Sequence, residues 1–197
     1  MKSIFKLYGE EYRNILELMY PAKNSTGFPE RNLSVNFARA YEKIVQSYRQ
    51  RCCAWYEFQF GDKNNLHVDA IIYNPDAGEL LIIESKRFSN PPKKIDEVKE
   101  DIIRIPQLIK ELKQENRINM SIINKSYGVI LADVWDETST KKEILDSYKV
   151  GMKDYDSNES FAQKYLDNPI DNKIVYDVQD FKNLIDKYYL VSMVWEV

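Results

Sequence analysis

Two acids and a lysine in the middle of the chain, Asp69, Glu84 and Lys86, are the residues whose types and spacing point most directly to chemistry. Asp69 lies in the run Leu-His-Val-Asp-Ala-Ile-Ile-Tyr that begins at Leu66. Glu84 and Lys86 lie in Glu-Leu-Leu-Ile-Ile-Glu-Ser-Lys-Arg-Phe, from Glu79 to Phe88. Between the runs, Asn74-Pro75-Asp76-Ala77-Gly78 has turn composition, so the two apolar, β-branched stretches predict a hairpin. If Asn74 pairs with Glu79, Asp69 falls opposite Glu84. Directly opposed residues on antiparallel strands have Cβ atoms roughly 4.5–5.5 Å apart. Two carboxylates at that spacing repel, and inside apolar strands each is costly to leave unpaired. A divalent cation between them resolves both problems, and strand alternation puts Lys86 on the same face as Glu84. Hard oxygen donors holding Mg²⁺ beside an ammonium suit the hydrolysis of a phosphodiester.

Asp69 followed by Glu84-Ser85-Lys86 resembles the PD-(D/E)XK nuclease superfamily, which includes the type II restriction endonucleases and carries Asp, then Glu-x-Lys, on a hairpin of a mixed sheet. The resemblance implies an α/β fold with a restriction-endonuclease-like mixed central sheet flanked by helices. It implies a Mg²⁺-dependent endonuclease acting on double-stranded DNA, with Mn²⁺ able to substitute, and a homodimer, since two strands are cut. Asp69, Glu84 and the carbonyl of Ser85 would hold the metal, and Lys86 would orient the attacking water or stabilise developing charge. A Glu on the helix before the sheet joins the site in many members. Glu42 matches that place, on the margin of a helical stripe between Ala38 and Val45, and could hold a second cation; a border Glu is equally a solvated residue or a partner for Lys43 or Arg49. Within the superfamily the alternative is a structure-specific or repair nuclease such as a Holliday junction resolvase. Outside it, the alternative is a nuclease-like fold that binds nucleic acid or protein without cutting.

Glu-x-Lys alone carries little weight in a chain with 30% charged residues. Its weight comes from an Asp across a short turn in an apolar strand. The literal Pro-Asp dipeptide is Pro75-Asp76, a departure from the expected order, but Asp76 belongs to the turn, roughly 20 Å from Glu84 at about 3.3 Å per residue. A solvated salt-bridge ladder on a half-exposed hairpin is the plain alternative. Ile71-Ile72 and Ile82-Ile83 argue against it by placing apolar side chains on both faces. His67, the only histidine, shares the period of Asp69 and could reach a phosphate, or simply be a satisfied strand-end residue.

The elements that must position these residues are readable from periodicity. Helices are expected over residues 4–20, ending at Pro21, and from an N-cap at Asn32 to about Arg49, with a loop over Lys23–Pro29 between them. A first strand runs Ala54–Phe60 and stops at Gly61-Asp62. Beyond the hairpin come a long helix, Lys93–Glu115, that Pro106 would kink or split, and a buried strand, Tyr127–Val134. The C-terminal part reads as a helix over Thr138–Tyr148, a polar, mobile stretch from Gly151 to Ser160, a helical piece to Leu166, a strand near Ile174–Tyr176, a helix over Gln179–Lys187 and a last strand, Tyr189–Trp195. At 197 residues this is the size of one domain, expected as a core over about 32–135 and a C-terminal α/β addition over about 136–197.

No apolar run reaches transmembrane length and the first residues show no secretory pattern, so a cytoplasmic protein without a membrane partner is expected. Cys52 and Cys53, adjacent and without metal-ligand spacing, read as buried thiols in a reducing compartment. The net charge of −3 speaks against a broad basic nucleic-acid face and hence against a resolvase. The local basic groups Arg49 to Arg51, Lys86-Arg87, Lys93-Lys94 and Lys141-Lys142 are either phosphate contacts or solvated faces.

Overall fold

A computed structural model describes residues 1–19, 30–60, 66–166, 170 and 172–197. The expected loop at Lys23–Pro29 and the strand end at Gly61-Asp62 lie outside the described residues. The chain is α/β: a six-stranded mixed sheet with helices on both faces. In chain order the elements are α1 (Lys2–Leu18), α2 (Glu30–Ser47), β1 (Cys53–Phe60), β2 (Leu66–Asn74), β3 (Glu79–Arg87), α3 (Pro91–Glu115), β4 (Lys125–Trp135), α4 (Ser139–Lys153), α5 (Phe161–Tyr165), β5 (Ile174–Asp180) and β6 (Tyr188–Glu196). The strands stand in the order β1-β2-β3-β4-β6-β5. β1, β2 and β3 form an antiparallel meander, β4 runs parallel to β3 after the α3 crossover, and β6 is antiparallel to both β4 and β5.

Apolar residues at both parities of β3 and β4 leave two sheet faces to cover, and each gets its own layer. Leu81, Ile83, Val129 and Leu131 pack beneath α1 and α2, against Phe5, Tyr8, Phe37 and Tyr41. Leu80, Ile82, Ile130 and Ala132 pack beneath α3, α4 and α5, against Val98, Ile105, Leu108, Tyr148 and Phe161. The hairpin register is the expected one, from Asn74 opposite Glu79 to Ala70 opposite Ile83. The turn fixes it: the Asn74 side-chain oxygen accepts from the Ala77 N–H at 3.0 Å, and Gly78 sits at φ +67°.

Several boundaries differ from the sequence reading. α2 begins at Glu30, so Asn32 lies inside the helix and its carbonyl accepts from Asn36 Nδ2. α3 runs unbroken through Pro106, because buried Ile102, Ile105, Leu108 and Ile109 hold it to the sheet on both sides of the proline. The segment expected as a helix over Gln179–Lys187 is the end of β5 followed by turns, with Phe181 and Ile185 buried among the α1 and α2 residues. Cys52 is half-buried and Cys53 exposed rather than buried, because β1 is an edge strand; both are free thiols. Among the described residues no helix is long and apolar enough to cross a membrane.

Candidate active site

Alternation along β3 decides which side chains meet α3. Leu80 and Ile82 point to the α3 layer, and Glu84 and Lys86 continue that row beyond the apolar packing. There they meet Asp101 and Arg104, one turn apart on α3. Lys86 Nζ is 2.7 Å from Asp101 Oδ2 and 3.7 Å from Glu84 Oε2. Arg104 Nη2 is 2.7 Å from Asp101 Oδ1 and makes a very short contact with Glu84 Oε1. A single guanidinium nitrogen thus bridges an acid of the sheet and an acid of the helix. Glu84 is 4% exposed, so the group is largely shielded from solvent.

Asp69 shares the parity of Ile71, which faces the α3 layer, and a local fault in the sheet lies beside it. The β1–β2 pairing passes from Tyr56–Ala70 to Phe58–Val68, and between them Glu57 adopts φ +51°, an uncommon conformation for a residue with a side chain. Val68 joins the α3 layer while Ala70 joins the α2 layer, although strict alternation would put both on one face. Asp69 stands at the break, one position past the last regular hairpin pair. Its Oδ2 accepts the Ser85 backbone N–H at 2.6 Å, so the side chain bonds the neighbouring strand where the ladder gives out.

The electrostatics follow from two buried carboxyl groups, Glu84 and Asp101, and the half-buried Asp69, set against two cations. Burial, then the nearby Asp101 and Asp69, push the Glu84 carboxyl up to about 8, although Lys86 and Arg104 pull the other way. Burial also raises Asp69 and Asp101, outweighing the Ser85 N–H and Lys86 at the first and Lys86 and Arg104 at the second. Burial alone would lower the Lys86 ammonium, but Asp101 and Glu84 hold it above its ordinary value. With all three acids ionised the group is one positive charge short, and its donors are hard oxygens of the kind Mg²⁺ takes. Among the described residues no three His, Cys, Asp or Glu side chains form a ready metal-holding array; the Glu84 and Asp101 carboxylates are each engaged by Lys86 and Arg104. The residues fit a divalent cation in donor chemistry and in charge, with Arg104 occupying part of the space between the acids.

The structure thus brings Asp69, Glu84 and Lys86 together and adds Asp101 and Arg104, which periodicity alone did not single out. Their signal was an acid in an apolar helical stripe: Asp101 lies between Val98 and Ile105, both buried. Ser85 contributes its backbone N–H, while its buried hydroxyl lacks a hydrogen-bond partner. Glu42 is not brought in. α2 packs on the opposite face of the sheet, and Glu42 acts on Cys52, Cys53 and Tyr56. His67 is exposed, with Nε2 3.6 Å from Glu57 Oε2. Asp76 is clamped at the turn by Arg51, 2.6 Å from Nη2 to Oδ1, which holds its carboxyl down at about 2.

Of the other basic groups singled out in the sequence, Lys94 pairs with Glu30 and Glu97, Lys93 with Glu97, and Lys141 with Glu137. Arg87 turns to the α1–α2 face, 3.7 Å from Asp133, which is 2% exposed and which burial pushes up to about 7. Comparison of the chain with protein-family models, with curated proteins and with solved structures finds no match, so the reading of this site stands on its geometry.

Proposed function

We propose that the protein is a divalent-metal-dependent endonuclease with a restriction-endonuclease-like fold, cutting double-stranded DNA. The observation that carries the reading is the hairpin register, which sets Asp69 and Glu84 on adjoining strands with Lys86 one pleat on, in a buried group short of positive charge. The element order supports it: a helix, an antiparallel three-strand meander, a crossover helix and a strand parallel to the third. Asp69 and Glu84, with the Ser85 carbonyl, would hold the cation, which would supply positive charge against the scissile phosphate and a water of lowered pKa. Lys86, kept protonated by Asp101 and Glu84, stabilises charge developing on the phosphoryl oxygens. Asp101 positions that ammonium from the helix side. Action as a homodimer, as a type II restriction endonuclease, is part of the proposal and rests on the resemblance alone.

A second reading is a nuclease-like module that binds without cutting. It is favoured by the engagement of Glu84 and Asp101 by Lys86 and Arg104, since a purely structural ion network looks the same. Incubating supercoiled plasmid with the protein and Mg²⁺ or Mn²⁺ separates the two. Nicked, linear or discretely fragmented DNA is expected from the wild type and from Asp76→Asn, and none from Asp69→Asn or Glu84→Gln. Intact plasmid with every cation, from protein that still shifts DNA in a gel, would favour the binding module.

A further inference from the structure

Arg104 does what a bound cation would do. Its Nη2 touches Glu84 on β3 and Asp101 on α3 at once, joining carboxylates from two elements that nothing else positive bridges so closely. The fit is incomplete, because Arg104 Nε is buried without a hydrogen-bond partner, a desolvated donor that the pocket leaves unsatisfied. The side chain is also 27% exposed, against 12% for Lys86, so it is the more open of the two cations to solvent.

Resting on the metal-dependent reading above, we propose that the Arg104 guanidinium is a built-in stand-in for the divalent cation at Glu84, the acid that it shares with the metal seat: it ties Glu84 to Asp101 in the metal-free protein and must release Glu84 for a cation to bind. A guanidinium carries one charge and a divalent ion two, so the exchange supplies the positive charge the three carboxylates lack. The affinity of the site for the ion is then the intrinsic affinity reduced by the stability of the Arg104 contacts, as for any binding site closed most of the time.

The test is Mn²⁺ binding without DNA, by titration calorimetry or by loss of the free-ion paramagnetic resonance signal. Arg104→Gln, which cannot bridge the acids with a charge, should bind Mn²⁺ at least ten-fold more tightly than the wild type and melt at a lower temperature in EDTA. Arg104→Lys, whose single ammonium lacks the planar fork, should bind several-fold more tightly and serves if the Gln variant does not fold. Failure of the Gln variant to fold in EDTA with recovery in Mn²⁺ would also support the exchange. Folded variants that bind Mn²⁺ as the wild type does, or more weakly, would overturn this role for Arg104 and leave the nuclease reading standing. Absence of Mn²⁺ binding at millimolar concentration in the wild type and both variants would overturn the metal site itself, and the exchange with it.

Discussion

Burial lifts the Glu84 carboxyl to about 8 and that of Asp133 to about 7, on opposite faces of the sheet. Both are acids whose folded values lie above their unfolded ones, so the native state holds their protons more tightly. The stability this contributes is present in full below about pH 4 and is lost as the pH rises through 7 to 8. In EDTA, the melting temperature of the wild type should therefore decline between pH 5 and 8. Asp133→Asn should flatten the decline below about pH 7, and Glu84→Gln should flatten it up to about pH 8, the stretch between 7 and 8 belonging to Glu84 alone, as read by calorimetric scans across the pH range. An unchanged slope in both variants would mean the two groups titrate normally. At this scale the strand residues of the site were legible because a turn sequence fixes the hairpin register as far as Ala70–Ile83, and a period of two then puts Asp69 and Glu84 on one face of adjoining strands. Asp101 and Arg104 were not, because the rotation of a helix over a sheet is set by the packing of Val98, Ile102 and Ile105 and not by any local pattern. Glu42 misled for the same reason: its place on the stripe margin is real, but the sheet face that α2 covers is a tertiary fact.

The hairpin is the element on which the site depends, and Gly78 is where its geometry is most exacting. At φ +67°, an added Cβ would lie 2.8 Å from Asn124 Nδ2 and 2.9 Å from the Ile122 carbonyl oxygen. The Gly78 carbonyl also accepts from the N–H groups of Asn124 and Lys125, tying the turn to the start of β4. Gly78→Ala should cost about 1–2 kcal/mol from the left-handed backbone alone, with the close contacts adding to it. Urea denaturation measures this cost. Because the turn lies far from Glu84, cleavage per folded molecule should be unaltered, and a selective loss of activity without loss of stability would show that the turn does more than set register. The long, strongly patterned elements were readable in advance: β2, β3, α3 and β4 stand where alternation and the apolar stripe put them. The stretch from Gln179 to Lys187 was misread because Phe181, Leu184 and Ile185 have a helix-like spacing. In the structure Phe181 and Ile185 are buried from within a series of turns, and β6 pairs with β5 as far as Asp180. Non-local pairing overrode a short periodic signal.

At the scale of the whole molecule, the C-terminal elements are not an appendage to a self-sufficient core. β6 pairs with β4 along its length, from Tyr127–Glu196 to Trp135–Tyr188, and its side chains enter both layers: Tyr188, Leu190 and Val194 on the α1–α2 face, and Val191, Met193 and Trp195 on the other. Gly128 has no Cβ because the Trp195 ring lies against it, where an added carbon would fall 2.2 Å from the indole. Deleting residues 137–197 would expose one edge of β4 and strip these side chains from the core, each worth about 1.5–3 kcal/mol of burial. Together these six side chains are worth as much as the roughly 5–15 kcal/mol by which a domain of this kind is stable. The chain truncated after Asp136 should therefore not fold alone, although it retains Asp69, Glu84, Lys86, Asp101 and Arg104. Near-ultraviolet circular dichroism and resistance to limited proteolysis would report the outcome. A truncated chain that keeps a fixed aromatic signal and a cooperative melt would show that the elements up to β4 form an independent folding unit, with β5 and β6 added to a sheet already complete.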